Sequence, residues 1–254
     1  MVLDGFRLDG RVALVTGGNR GLGLACAVAL AEAGADVALL GRTDPKHPVR
    51  RIEALGRRAG YVPCDLATAG PAAFAGAVRA VQADLGRLDI LVNNAGIIRR
   101  APAAVTSAAD WDDVMTVNVD AVFQLCQAAG RVMLAQGSGK IINIASMLSF
   151  QGGIRVPAYT AGKHAVLGIT RALANEWASS GVNVNAIAPG YMVTDNTAAL
   201  REDPERAGAI LDRIPAGRWG SPDDLGGAVV FLASEAARYV HGAVLPVDGG
   251  WLAR

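Results

Sequence analysis

In the stretch SMLSFQGGIRVPAYTAGK, Ser146 is followed by Tyr159 and, four places on, by Lys163. A phenol can hand a proton to the oxygen that develops when a carbonyl is reduced. Its ordinary pKa of about 10 makes it a poor acid–base group near neutrality. A neighbouring ammonium favours the phenolate and lowers that value. Residues four apart share a helix face, so a helix over this stretch brings Tyr159 and Lys163 together. Ser146, at the end of the preceding strand, can hold a substrate oxygen near the phenol, an oxyanion-stabilising role. Asn118, within a predicted helix, can hold a water that links Lys163 to solvent. The chemistry these types predict is proton donation during interconversion of a ketone and a secondary alcohol.

Such a proton donor needs a hydride source and a scaffold that gathers distant segments. Short β-branched runs occur at Val12–Thr16, Asp36–Leu40, Tyr61–Cys64, Ile90–Asn93, Lys140–Ala145, Asn183–Ala188 and Ala243–Val247. Alanine- and leucine-rich helical patterns fill most of the gaps, which predicts βαβ units and a parallel sheet. Near-continuous apolar runs such as KIINIA suit strands covered on both faces. The expected fold is α/β: a Rossmann-type doubly wound parallel sheet of about seven strands, in one domain over residues 1–254. Ser107-x-x-Asp110 and Ser221-Pro222-Asp223-Asp224 mark two helix starts.

The first predicted strand runs into Thr16-Gly17-Gly18-Asn19-Arg20-Gly21-Leu22-Gly23 and then into a helix. Glycines at 17, 21 and 23 let the backbone approach a pyrophosphate, which the helix N-terminus favours. The backbone of Asn19, Arg20 and Leu22 belongs to the same cradle. The second strand ends in Leu40-Gly41-Arg42, with a glycine where an acid would bind a ribose 2′-hydroxyl. Arg42, with Arg20 as a second cation, favours NADP, and NAD remains the alternative.

Composition removes other classes of function. The 254 residues carry 24 basic and 23 acidic side chains, so no global field recruits nucleic acid or a membrane surface. No apolar run approaches the roughly 18 residues of a membrane span. The N-terminus carries acids and glycines where a secretory signal needs a basic and then an apolar segment, which predicts a cytoplasmic protein. Cys26, Cys64 and Cys126 fit buried thiols in a reducing compartment, and no ligand spacing predicts a metal. The tryptophans at 111, 177, 219 and 251 read as packing anchors, and the three histidines as surface or loop residues.

TGGNRGLG, Asp65 in CDL, Asn93-Asn94-Ala95-Gly96, Asn118 in VNV, Ser146, Tyr159-x-x-x-Lys163 and Pro189-Gly190 stand in the order found in one family. Over essentially its whole length the chain resembles the single-domain short-chain dehydrogenase/reductases. The resemblance implies catalysis by Asn118, Ser146, Tyr159 and Lys163, with Lys163 also on the nicotinamide ribose. It implies that Asp65 and Leu66 lie near the adenine, and that Asn93 ties the sheet while Ala95 and Gly96 approach the cofactor. Pro189, Gly190 and Thr194 would flank the nicotinamide, with residues Asn196–Arg213 as a lid. It also implies a homotetramer, joined partly through the small residues Ala158, Ala161, Ala165, Gly168 and Ala172. Within the family, DWDDVM, NVNAIAPGYM, LDRIPAGRWG and DGGWLAR resemble members that act on keto sugar acids, a group that commonly uses NAD(H). An anionic substrate needs a cation, and Arg155, with Arg99 or Arg100, is the expected carboxylate contact. The rival readings are a 3-oxoacyl thioester reductase, a broad carbonyl reductase, and a dinucleotide sensor without catalysis.

Overall fold

The strand Val12–Thr16 (β1) reads apolar because both its faces are covered. Val12 and Leu14 enter one hydrophobic cluster, Ala13 and Val15 the other. The computed structural model describes residues Met1–Arg254. Six more strands follow: β2 (Asp36–Gly41), β3 (Ala59–Pro63), β4 (Ile90–Asn93), β5 (Gly139–Ile144), β6 (Val182–Pro189) and β7 (Val244–Val247). All pair in parallel, in the order β3-β2-β1-β4-β5-β6-β7. The order reverses between β1 and β4, the point where open α/β sheets bind ligands, outside the carboxyl ends of the strands.

The helices are α1 (Gly21–Glu32), α2 (Lys46–Glu53), α3 (Pro71–Leu85), α4 (Ala108–Met115), α5 (Ala121–Gln136), α6 (Pro157–Trp177), α7 (Ala198–Arg201), α8 (Pro204–Leu211) and α9 (Gly226–Ala233). Phe74 of α3, Leu125 and Met133 of α5 and Trp177 of α6 pack on one face of the sheet. Leu30 of α1, Ile52 of α2 and Leu232 of α9 pack on the other. A third cluster joins Met147, Leu167, Ile214 and Trp251 beside the C-terminus. Pro157 opens α6 where a helix needs no N–H, so Tyr159 and Lys163 occupy its first two turns.

Four details depart from the sequence expectation. β3 begins at Ala59, not Tyr61, because pairing of Val37 with Ala59 and of Ala38 with Gly60 recruits two residues of low strand propensity. Cys26 and Cys126 are buried, their thiols pushed up to about 12 by burial, but Cys64 is only half-buried. Trp111 is exposed and anchors no core. The expected lid contains two short helices, α7 and α8. Both expected caps form: the Ser107 hydroxyl accepts from Asp110 N at 3.0 Å, and the Asp224 carboxylate from Ser221 N at 2.7 Å. No helix is long and apolar enough to cross a membrane.

Candidate active site

At the carboxyl end of β1 the chain turns through Gly17 (φ +63°) and Gly21 (φ +54°), left-handed conformations that glycine adopts without strain. None of the N–H groups from Gly18 to Gly23 donates to a protein acceptor, and the N-terminus of α1 stands directly behind them. Clustered free donors at a helix start are an anion cradle, so these residues fit a dinucleotide pyrophosphate. Gly23 provides the close approach. A Cβ there would lie 2.3 Å from Gly17 O and 2.5 Å from Asn94 Nδ2. Gly23→Ala must therefore displace the cradle. We expect NADPH affinity to fall at least about tenfold, roughly 1.4 kcal/mol, in a fluorescence titration, with secondary structure retained by circular dichroism.

Two loops share one fastening. Thr16 Oγ1 accepts from Asn94 N at 3.0 Å and from Ala95 N at 2.9 Å, while Asn94 Nδ2 donates to Thr16 O at 3.0 Å. Asn93 is turned inward: its amide donates to Asn143 Oδ1 at 2.9 Å, and Asn143 donates to Thr170 Oγ1 at 3.0 Å. This buried chain of amides ties β4 through β5 to α6. Asp65 caps its own turn, accepting from Ala67 N at 3.0 Å with one oxygen, and Leu66 is buried beneath it. Gly190 N donates to Val247 O at 2.9 Å, and a Cβ on Gly190 would strike Asp248.

Ser146 stands just after β5 in extended conformation, and its Oγ accepts from Leu148 N at 3.1 Å. That bond uses one lone pair and leaves the hydroxyl proton to be donated to the Tyr159 phenol oxygen or to a substrate oxygen. Ser149, which the sequence reading missed, locks this turn onto α6: its Oγ accepts from Ser146 N at 3.2 Å and donates to Lys163 O at 2.7 Å. Its only sequence signal is the S-x-x-S spacing.

Lys163 is buried, and its Nζ lies 5.6 Å from the Tyr159 ring centroid and donates to Ile144 O at 2.6 Å. Burial pushes this ammonium down to about 8. The Tyr159 phenol is also displaced, but upward: burial raises it, while hydrogen bonding with Ser146 and then the charge of Arg100 pull it down. Desolvation of the phenol outweighs the opposing effects, and the groups that oppose it are Ser146 and Arg100.

Asn118 is wholly buried in a π-helical turn, Thr116–Asp120, between α4 and α5. Its Oδ1 accepts from Ile97 N and its Nδ2 donates to Ile97 O, both at 2.9 Å. The side chain is engaged with the loop after β4 through one acceptor and one donor site, which leaves a second site of each kind on the amide. It supports the loop where a Cβ on Gly96 would lie 3.2 Å from Asn118 Oδ1 and 3.8 Å from Lys163 Nζ.

The arginines divide. Arg99 pairs with Asp113 at 2.9 Å and Asp110 at 3.5 Å on α4. Arg155 is exposed, with φ +63°, and its carbonyl accepts from Ala101 N at 3.0 Å. Arg100 acts on the phenol, and its Nη2 donates to Asn196 O at 3.0 Å. Arg20 pairs with Asp195 at 2.8 Å. The Thr194–Thr197 strap is therefore fastened to the glycine loop on one side and to the loop after β4 on the other. Arg42 is exposed beside Gly41, where a Cβ would meet nothing within 4 Å.

Known proteins share this arrangement. The family described as enoyl-(acyl carrier protein) reductase matches residues 17–252. The 2-dehydro-3-deoxy-D-gluconate 5-dehydrogenase of Dickeya dadantii is 56% identical over 256 residues, covering 100% of both chains. The gluconate 5-dehydrogenase of Gluconobacter oxydans is 45% identical, covering 97% of this chain and 96% of the relative. A gluconate 5-dehydrogenase from Burkholderia cenocepacia, solved with NADP and tartrate, is 43% identical with a TM-score of 0.95 over 100% of both chains. With its parallel sheet, glycine cradle and Ser146, Tyr159 and Lys163 gathered at one edge, the chain belongs to the short-chain dehydrogenase/reductase family of oxidoreductases.

Proposed function

We propose that the protein is an NAD(P)-dependent oxidoreductase that interconverts a keto group and a secondary alcohol on a deoxy keto sugar acid. The observation that carries this reading is the Tyr159 ring with Lys163 Nζ 5.6 Å from its centroid and Ser146 just after β5, at the sheet edge that also bears the free N–H groups of Gly18–Gly23. Bound nicotinamide supplies the hydride in reduction and accepts it in oxidation. Ser146, its lone pair already engaged by Leu148, directs its hydroxyl proton at the substrate oxygen. Tyr159 gives that oxygen its proton in reduction and takes it back in oxidation. Lys163 holds positive charge one helical turn away and meets the ribose.

NADP is the favoured cofactor, supported by Arg42 beside Gly41 and by the NADP in the Burkholderia relative. Gly17, Gly21, Gly23, Ala95, Gly96, Asp65, Pro189 and Thr194 would line its site. Arg100 is favoured over Arg99 and Arg155 for the substrate carboxylate, because Arg99 is spent on two aspartates and Arg155 is turned to solvent, whereas the charge of Arg100 reaches the phenol. The reading includes one dinucleotide-binding domain over residues 1–254, a cytoplasmic location and a homotetramer, for which Gly168 and Ala172 offer an exposed stripe of small residues on α6.

The test is an activity matrix of NADH and NADPH against several keto sugar acids, with acyl thioesters and a neutral diketone alongside. Turnover should be greatest with NADPH and a keto sugar acid. Arg100→Ala should raise KM for the acid at least about tenfold, matching a lost charge-assisted hydrogen bond, and move KM for the diketone less than about twofold. Turnover of acyl thioesters alone would replace the sugar acid reading.

A further inference from the structure

At the edge of the sheet away from the reacting groups lies a cavity of about 260 Å³. Arg11 precedes β1, Lys140 begins β5 and Asn183 begins β6, and all three line it. From Lys140 to Ser146 the chain runs six residues along and just past β5, roughly 20 Å. The cavity is therefore separate from the site described above. It is small for a dinucleotide and has room for a phosphate or a short organic acid.

Its lining is polar, with three cations, Arg11, Lys140 and Arg238, against two carboxylates, Asp89 and Glu235. Asp89 is already spent. It accepts from Val12 N at 2.9 Å and from Arg87 at 2.6 and 2.7 Å. Arg11 spans Asp89 at 3.3 Å and Glu235 at 3.6 Å. Lys140 and Arg238 pair with no carboxylate.

Lys140 is the unusual member. Its side chain is only 8% exposed, and its Nζ has one protein acceptor, Asn183 Oδ1, at 2.9 Å. An ammonium carries three N–H donors, so two go unanswered. The orientation of Asn183 is fixed, because its Nδ2 meets the carbonyls of Ala237, Arg238 and Val240 and His241 Nε2 between 2.9 and 3.3 Å. His241, which also lines the cavity, has its Nδ1 buried with no protein partner. Glu235 acts on Lys140 across the cavity but is paired with Arg11, so no carboxylate lies within ion-pair distance of this buried ammonium, a costly arrangement in a protein interior.

We propose that this cavity is a second ligand site, for a small oxyanion of phosphate or carboxylate type held between Lys140 and Arg238. The inference stands apart from the proposed activity, since it uses none of the same residues. Inorganic phosphate and, separately, acetate should be titrated by calorimetry into the protein saturated with NADPH, which keeps the glycine cradle filled. Chloride holds ionic strength constant. Saturable binding of one oxyanion per chain is expected, and whichever of the two saturates identifies the phosphate or the carboxylate class. Arg238→Ala, an exposed change, should weaken it at least fivefold and leave kcat unchanged, and Lys140→Met should abolish it. If Lys140→Met does not fold, Arg238→Glu replaces it, with loss of binding expected. Absence of saturation with both probes, or equal affinity in the Arg238 variants and the parent, overturns the proposal.

Discussion

Tyr159→Phe should cut turnover about a thousandfold and leave the dinucleotide bound. The substitution removes one oxygen from a half-buried ring and conserves its volume, so α6 and its packing survive. What disappears is the only group near Ser146 and Lys163 that can exchange a proton with the substrate oxygen. General acid–base groups contribute roughly 10²–10⁴ in rate, so kcat should drop about 10³-fold, measured from initial rates at saturating substrate. The Kd for NADPH should stay within about twofold, because the cradle of free N–H groups lies on another loop. A variant that keeps more than a tenth of the parent's rate would show that the phenol is not the proton donor. A parent without turnover on any carbonyl would favour the dinucleotide sensor.

Lys163→Met should combine loss of activity with gain of stability. Burial holds the Lys163 ammonium down at about 8, against an ordinary value of 10.5. Below pH 8 both folded and unfolded chains carry the proton, and the folded chain bears the full desolvation cost, on the order of 3 kcal/mol. Between about 8 and 10.5 the unfolded chain binds a proton that the folded chain has released, so this cost shrinks as pH rises. Methionine removes the charge and keeps the length, while the lost bond to Ile144 O returns about 1–2 kcal/mol of the gain. At pH 7, without cofactor, the variant should melt a few degrees higher than the parent. Its advantage should fade toward pH 10, and its kcat should fall at least about 10²-fold. A lower melting point at pH 7 would mean that Lys163 is fully compensated in the folded protein. Groups placed for chemistry often cost stability in this way.

Most of the scaffold was legible because its signals are local. β1 and β4 match their expected bounds, since uninterrupted VALVT and ILVN admit little else between two covered faces. Tyr159 and Lys163 share a face for the reason helical spacing predicts. Partnerships formed across the chain were not legible. Ser149 closes on Lys163 O, and Asp195 meets Arg20 from 175 residues away, pairings that no window along the sequence contains. Asn118 shows the limit differently. VNVD reads as ordinary helix, yet the extra residue of a π turn directs that amide at Ile97, a choice made by the neighbouring loop. The rise of the Tyr159 phenol was illegible for a related reason, since burial is a property of the assembled fold.

The strap at Thr194–Thr197 is held by two clasps of unlike physics. The one between Arg20 and Asp195 joins full charges that are about three-quarters exposed, so dissolved ions weaken it. The one between Arg100 and Asn196 ends on a neutral backbone oxygen, which ionic strength affects far less. Rising ionic strength should therefore loosen the glycine-loop margin of this strap before the margin beside Arg100, a difference that amide hydrogen exchange at Asp195 and Asn196 in low and high salt would register.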